Sequence, residues 1–185
     1  MNEAKSADSP LILCVCSGNI GRSPIMAAEL RRLCGVHNIK NVRVESSGIQ
    51  GVAGTQRPKF NSLAEYPEGS IMIPLLTELG IDLSTHRYRV VTRERIAEAK
   101  LILVASEDIR STRPNALLKQ FPEYGEKMFL LSEMAGQCDD VPDFGGSMDA
   151  HLHQRSLQMI LTLAEKGFAR ICKKIRQSST MEKTL

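Results

Sequence analysis

With 185 residues the chain has room for one domain with a sizeable core and too few residues for two full domains. Its 42% hydrophobic and 24% charged residues are the balance of a soluble globular protein. A net charge of +3, with no basic stripe interleaved with aromatics, gives no reason to expect nucleic acid as a partner. No apolar run approaches the roughly 18 residues a membrane span needs, and the polar stretch 1–10 lacks the apolar centre of a signal peptide. The five cysteines, Cys14, Cys16, Cys34, Cys138 and Cys172, are odd in number and scattered. That is no disulfide framework, and it suits a reducing cytoplasm in which a thiol stays free.

The expected layout is a flexible start at 1–9, one α/β domain at 10–177 and a flexible tail at 178–185. Residues 11–16 are an apolar run ended by Ser17-Gly18-Asn19, the pattern of a buried strand. Pro24 opens a helix to Leu33, closed by Gly35, because a proline in the first turn removes an N–H that has no partner there. A second strand follows at 42–46, and the Gly- and Pro-rich stretch 51–69 reads as a long loop. Next come a helix at 70–79 interrupted by Pro74, a short helix after Thr92, and a third strand at 101–105. A helix at 107–121 broken by Pro114, a fourth strand at 128–131 and a long helix at 147–175, fraying at Gly167, complete the series. Strands alternating with helices predict an open, mostly parallel four-stranded sheet with helices on both faces. Such sheets bind ligands beyond the carboxyl ends of their strands. The first strand ends at Cys16.

From Cys16 the sequence reads Ser17, Gly18, Asn19, Ile20, Gly21, Arg22 and Ser23, the pattern C-x5-R-S. Five residues between Cys and Arg suffice to curl the backbone so that successive N–H groups converge on one point. Such a nest binds a tetrahedral oxyanion, and the following helix adds its positive N-terminal end. Gly18 and Gly21 permit the positive φ or the close approach that this curl demands. Arg22 offers a planar fork for two oxygens at once, which lysine lacks. The same field acts on Cys16: a helix N-terminus and a guanidinium can bring a cysteine pKa from about 8.5 to about 3.5–7.5, and the thiolate is the nucleophile. Ser23 is placed to hydrogen-bond the sulfur. The competing interpretation is an ordinary strand–turn–helix junction with a buried thiol. A nucleotide-binding loop is rejected, because its lysine is absent and the glycine spacing is wrong.

The segment from Cys16 to Pro24 resembles the signature of the low-molecular-weight protein tyrosine phosphatases, a family shared with related arsenate reductases. Ser46-Ser47-Gly48, the run Gly80 to His86, the stretch 99–105 and Val141-Pro142-Asp143 are similar to family segments in the same order, so that the resemblance spans about 10–175. It implies hydrolysis of phosphate monoesters, foremost protein phosphotyrosine, through a phosphocysteine, with a phosphorylated protein or small phosphoester as partner. It implies no cofactor and no metal, since Arg22 and the loop amides do a cation's work.

Breaking a phosphate ester also needs a proton donor. Asp139, Asp140 and Asp143 lie before the last helix, where an acidic turn capping that helix is the plain alternative; the resemblance selects Asp143 as the acid. It also gives His86, with Asn19 and Ser47, the role of locking the loop by hydrogen bonds. His151 and His153, two apart on a helix, make a poor metal pair.

Three departures stand out. Gly21 occupies the place where the family commonly has a second cysteine able to protect the nucleophile in a reversible disulfide. Asp143 is followed by Phe144-Gly145-Gly146 rather than by proline and aromatics, leaving Phe144 as one wall for a substrate ring. The loop 51–69 is longer than expected at a pocket rim. Ile20, rather than threonine, resembles the tyrosine-directed members more than the phosphoarginine-directed ones. Two alternatives remain: an arsenate reductase using the same cysteine and loop, and a phosphate-binding module without turnover.

Overall fold

A computed structural model describes residues 9–181, and side-chain surroundings as far as Arg176. Most of the two expected flexible ends thus lies outside the described residues. Leu11–Cys16 forms β1, and all six of its residues are buried. Alternate side chains of a strand point to opposite faces, so a wholly buried strand is covered on both. β1 pairs in parallel with β2 (Arg43–Gly48) on one side and with β3 (Ala99–Val104) on the other, and β4 (Met128–Leu130) pairs in parallel with β3. The order β2-β1-β3-β4 makes an open sheet whose paired strands all run one way. The chain leaves β1 toward β2 and later crosses back to β3, so the carboxyl ends of β1 and β3 flank a topological switch point.

Helix α1 (Arg22–Val36) starts two residues before Pro24, which sits in the first turn, where its missing N–H costs nothing. It runs through Gly35 instead of stopping there. Helix α2 (Gly69–Glu78) likewise continues through Pro74, with Met72 and Leu76 buried on its core face. Burial of that face offsets the bond proline cannot make. Thr92 caps α3 (Arg93–Glu98) by accepting from the Arg95 N–H at 3.3 Å.

The break expected at Pro114 is present: a wide turn at Asp108–Thr112 precedes it and the short helix α4 (Leu117–Gln120) follows. Helix α5 (Leu131–Met134) was illegible because four residues carry no periodicity. Helix α6 (Ala150–Met181) starts later than expected because residues 147–149 cap it. Ser147 Oγ accepts from the Asp149 N–H at 3.2 Å, and Asp149 Oδ1 from the His151 N–H at 2.9 Å. Gly167 does not fray the helix. A Cβ there would lie 2.7 Å from the Met134 side chain, so glycine lets α5 press against α6. Among the described residues no helix is long and apolar enough to cross a membrane.

Candidate active site

The loop between β1 and α1 is built around Asn19, which is fully buried and has φ of +52°. The left-handed residue that the curl demands is therefore Asn19, which tolerates this conformation; Gly18 and Gly21 are not in it. All parts of Asn19 are engaged. Its N–H donates to Cys16 Sγ at 3.3 Å and its side-chain nitrogen to Ser23 Oγ at 3.0 Å. Its side-chain oxygen accepts from the Arg89 N–H at 2.9 Å, and its carbonyl meets His86 Nε2 at 2.7 Å. Because Ser23 Oγ accepts from Asn19, its own proton turns toward Cys16 Sγ at 3.0 Å, with the Ser47 carbonyl at 3.3 Å as second acceptor. Two donors thus converge on the sulfur, the arrangement that stabilises negative charge there.

His86 is half-buried behind the loop, and burial pushes its pKa below the ordinary 6.5; the Asn19 carbonyl opposes this, and Arg89, Arg31 and Arg87 reinforce it. An imidazole facing a carbonyl must donate, so the proton sits on Nε2. With its folded pKa lowered, the unfolded chain binds more protons. The stabilisation is present above pH 6.5 and is lost as pH falls through the folded value. The melting temperature should therefore drop on acidification below pH 6.5, and less steeply in His86→Gln, which keeps a donor for Asn19. Equal slopes in thermal scans across that window would show that His86 does not titrate on unfolding.

Arg22 is buried and tied to two segments, the one that follows β3 and the one that carries Asp143. One amino group donates to the Val141 carbonyl at 3.2 Å and to Ser106 Oγ, just past β3, at 3.4 Å. The other forms an ion pair with Asp143, whose side chain is 49% exposed. That exposure suits a group that must meet an incoming ligand. Cys16, Ser17, Gly18, Ile20, Gly21, Arg22 and Asp143 all border one cavity of about 330 Å³. Asn19, Ser23, Ser47 and His86 stand behind it and hold the loop. Asp140 has another task, accepting from the Glu107 N–H at 2.7 Å.

Several residues at this site escaped sequence reasoning. The long loop supplies Pro58, Leu63, Tyr66 and Glu68 to the cavity wall. Glu68 is buried and accepts from the Gly146 N–H at 2.9 Å, joining the start of α2 to the Asp143 loop. Arg113 reaches the rim, donating to Ser17 Oγ at 2.8 Å while its Nε is paired with Asp108 at 2.6 Å. Tyr66, half-buried, presents a ring to the cavity. Phe144 borders the cavity, as expected of a wall, but is only 3% exposed. It packs on the loop itself and on fully buried His153, with ring centroids 4.8 Å apart.

Residues 11–181 match the family described as low molecular weight phosphotyrosine protein phosphatase. The chain belongs to this family. Low molecular weight phosphatase relatives include the probable protein-tyrosine-phosphatase EpsP of Ralstonia nicotianae, 34% identical over 56% of this chain but only 63% of that one. The protein-arginine-phosphatase of Geobacillus stearothermophilus is 29% identical over 84% of this chain and 94% of its own length. Among solved structures, the low molecular weight protein tyrosine phosphatase from T. tengcongensis covers 88% of this chain and 99% of its own, with 26% identity and a TM-score of 0.70. Enzymes of this family work through a cysteine, and the chain is a cysteine-dependent phosphatase.

Proposed function

We propose that the chain hydrolyses phosphate monoesters, protein phosphotyrosine foremost, through a phosphocysteine formed on Cys16. One observation carries this: the Cys16 sulfur, held by two hydrogen-bond donors, opens into the same cavity as buried Arg22 and half-exposed Asp143. In the first step the thiolate attacks phosphorus, the bond to the ester oxygen breaks, and Asp143 gives that oxygen its proton. In the second, water attacks phosphocysteine, Asp143 takes the water's proton, and the S–P bond breaks to give phosphate and thiolate. The Arg22 fork and the amides of 17–23 stabilise the equatorial oxygens in both steps. Phosphate and Asp143 compete for the same guanidinium, so substrate entry must free the Asp143 carboxyl group to face the ester oxygen.

Ile20, Pro58, Leu63 and Tyr66 give the cavity apolar walls suited to an aryl ring. Five free cysteines suit a reducing compartment, the cytoplasm. The test is a denaturing quench during turnover of p-nitrophenyl phosphate, with peptide mapping for phosphate on Cys16. Phosphotyrosine and phosphoarginine peptides compared side by side then fix the substrate class. Thiol-dependent arsenate consumption without ester hydrolysis would make the chain a reductase instead. Phosphate binding with neither activity would make it a binding module.

Peroxide offers a further expectation. The neighbouring thiol of Cys14 is wholly buried, and burial pushes its pKa up to about 12, so it cannot act as a resolving thiolate. Cys16 should pass from sulfenic to sulfinic acid under hydrogen peroxide, with recovery by dithiothreitol shrinking as exposure lengthens. Mass spectrometry should find dioxygenated Cys16; full recovery with a Cys14–Cys16 disulfide would contradict this.

A further inference from the structure

The segment between α5 and α6 that carries Asp143 has no regular secondary structure from Ala135 to Asp149. Its own hydrogen bonds tie it down on either side of Asp143: the Val141 N–H donates to the Ala105 carbonyl at 2.9 Å, and the Gly146 N–H to Glu68. Asp143 itself is held by the Arg22 ion pair and by the Gly145 N–H at 3.1 Å. The phosphate must break the first of these, so something else has to keep the carboxylate over the loop at the moment of reaction.

Phe144, the next residue, is buried and keyed into the phosphate loop. A Cβ built on Gly21 would fall 2.8 Å from Cε2 and 3.2 Å from Cε1 of its ring, and closer still to Cζ. The ring edge thus occupies the space where any other residue at position 21 has its first side-chain carbon. Gly21 has φ of −118°, an ordinary value, so the requirement here is for room and not for backbone freedom. On its other side the ring rests on His153, which is anchored through Nε2 to the Ser147 carbonyl at 2.8 Å. The two departures from the family pattern, glycine at 21 and phenylalanine at 144, are therefore two halves of one contact.

We propose that Phe144 is a positioning residue: seated in the notch left by Gly21, its ring holds Asp143 in register with Cys16 during proton transfer to the leaving group. This rests on Asp143 being the acid. Protonation matters more for a poor leaving group than for a good one, and a small misplacement of a catalytic group can cost about 10²-fold. Phe144→Ala and Gly21→Ala should each lower kcat/KM for phenyl phosphate by about 10²-fold while p-nitrophenyl phosphate loses only a few-fold. Combining Gly21→Ala with Phe144→Leu, which shortens the knob to fit the smaller hole, should restore part of the phenyl phosphate rate.

The decisive comparison is in the Asp143→Ala background. There Phe144→Ala should add little, because the group it positions is already gone. Gly21→Ala keeps the test alive if Phe144→Ala folds poorly, as judged by melting temperature. Equal losses on both substrates, or a full additional loss in the Asp143→Ala background, would reduce Phe144 to a packing role and overturn this inference alone. If Asp143→Ala itself shows no dependence on the leaving group, the acid assignment falls and takes this inference with it.

Discussion

Cys16→Ser is expected to bind inorganic phosphate about as well as the unaltered protein and to lose turnover by a factor of about 10⁴ or more in kcat/KM. A serine hydroxyl becomes a useful nucleophile only when a base removes its proton. The groups around position 16 are of the opposite kind. The Asn19 N–H and the Ser23 hydroxyl both donate toward the sulfur, which suits an anion already formed and offers no base to form one. The imidazole near the loop, His86, is turned away and spent on the Asn19 carbonyl. Meanwhile Arg22 and the curled backbone are untouched, and a serine at a position only 3% exposed replaces sulfur with a slightly smaller atom. Phosphate titration calorimetry and melting temperature should therefore be nearly unchanged while aryl phosphate hydrolysis disappears. Hydrolysis retained above about a hundredth of the original rate would show that the nucleophile lies elsewhere.

The parts of this design that were legible in the sequence are those written in consecutive residues. The run 11–16 shows a strand buried on both faces, and the C-x5-R-S spacing with Pro24 shows a loop entering a helix; both stand where expected. Strands alternating with helices predicted a mostly parallel open sheet, and its paired strands all run one way. What was not legible depends on residues far apart in the chain. Nothing in the spacing says that Arg113 reaches Ser17, that Glu68 holds Gly146, or that Tyr66 from a long loop supplies an aromatic wall. The glycine at 21 was visible as a missing cysteine and Phe144 as a changed acid loop. Only packing shows that one departure makes room for the other. The start of α6 was misplaced for a local reason, since side chains at 147–149 cap the helix where periodicity would extend it.

Gly48→Ala is the substitution with the next largest expected effect, although position 48 touches no substrate. A Cβ there would lie 2.7 Å from the Ser17 carbonyl oxygen, 2.8 Å from the Asn19 nitrogen and 2.9 Å from the Gly18 carbonyl carbon. All three are backbone atoms of the phosphate loop, so no flexible side chain can yield. Nor can Gly48 retreat: its N–H donates to the Arg89 carbonyl at 2.8 Å, and its own carbonyl accepts from the Val91 N–H at 2.9 Å. The methyl must therefore push the loop, and the Asn19 N–H that faces Cys16 Sγ is among the first atoms displaced. Overpacking of this kind costs about 1–3 kcal/mol, a fall of about 2–12 °C in melting temperature for a chain of this size. Losing the amide register around sulfur and phosphate should lower kcat/KM by a further factor of about 10² or more in the molecules that remain folded. Gly35→Ala is the matched control, because a Cβ there meets nothing within 4 Å and the position is helical. It should melt no lower than the parent and keep full activity. Gly48→Ala with parental kinetics would mean that the loop tolerates displacement, and that the amide ring around Cys16 is not what sets the rate.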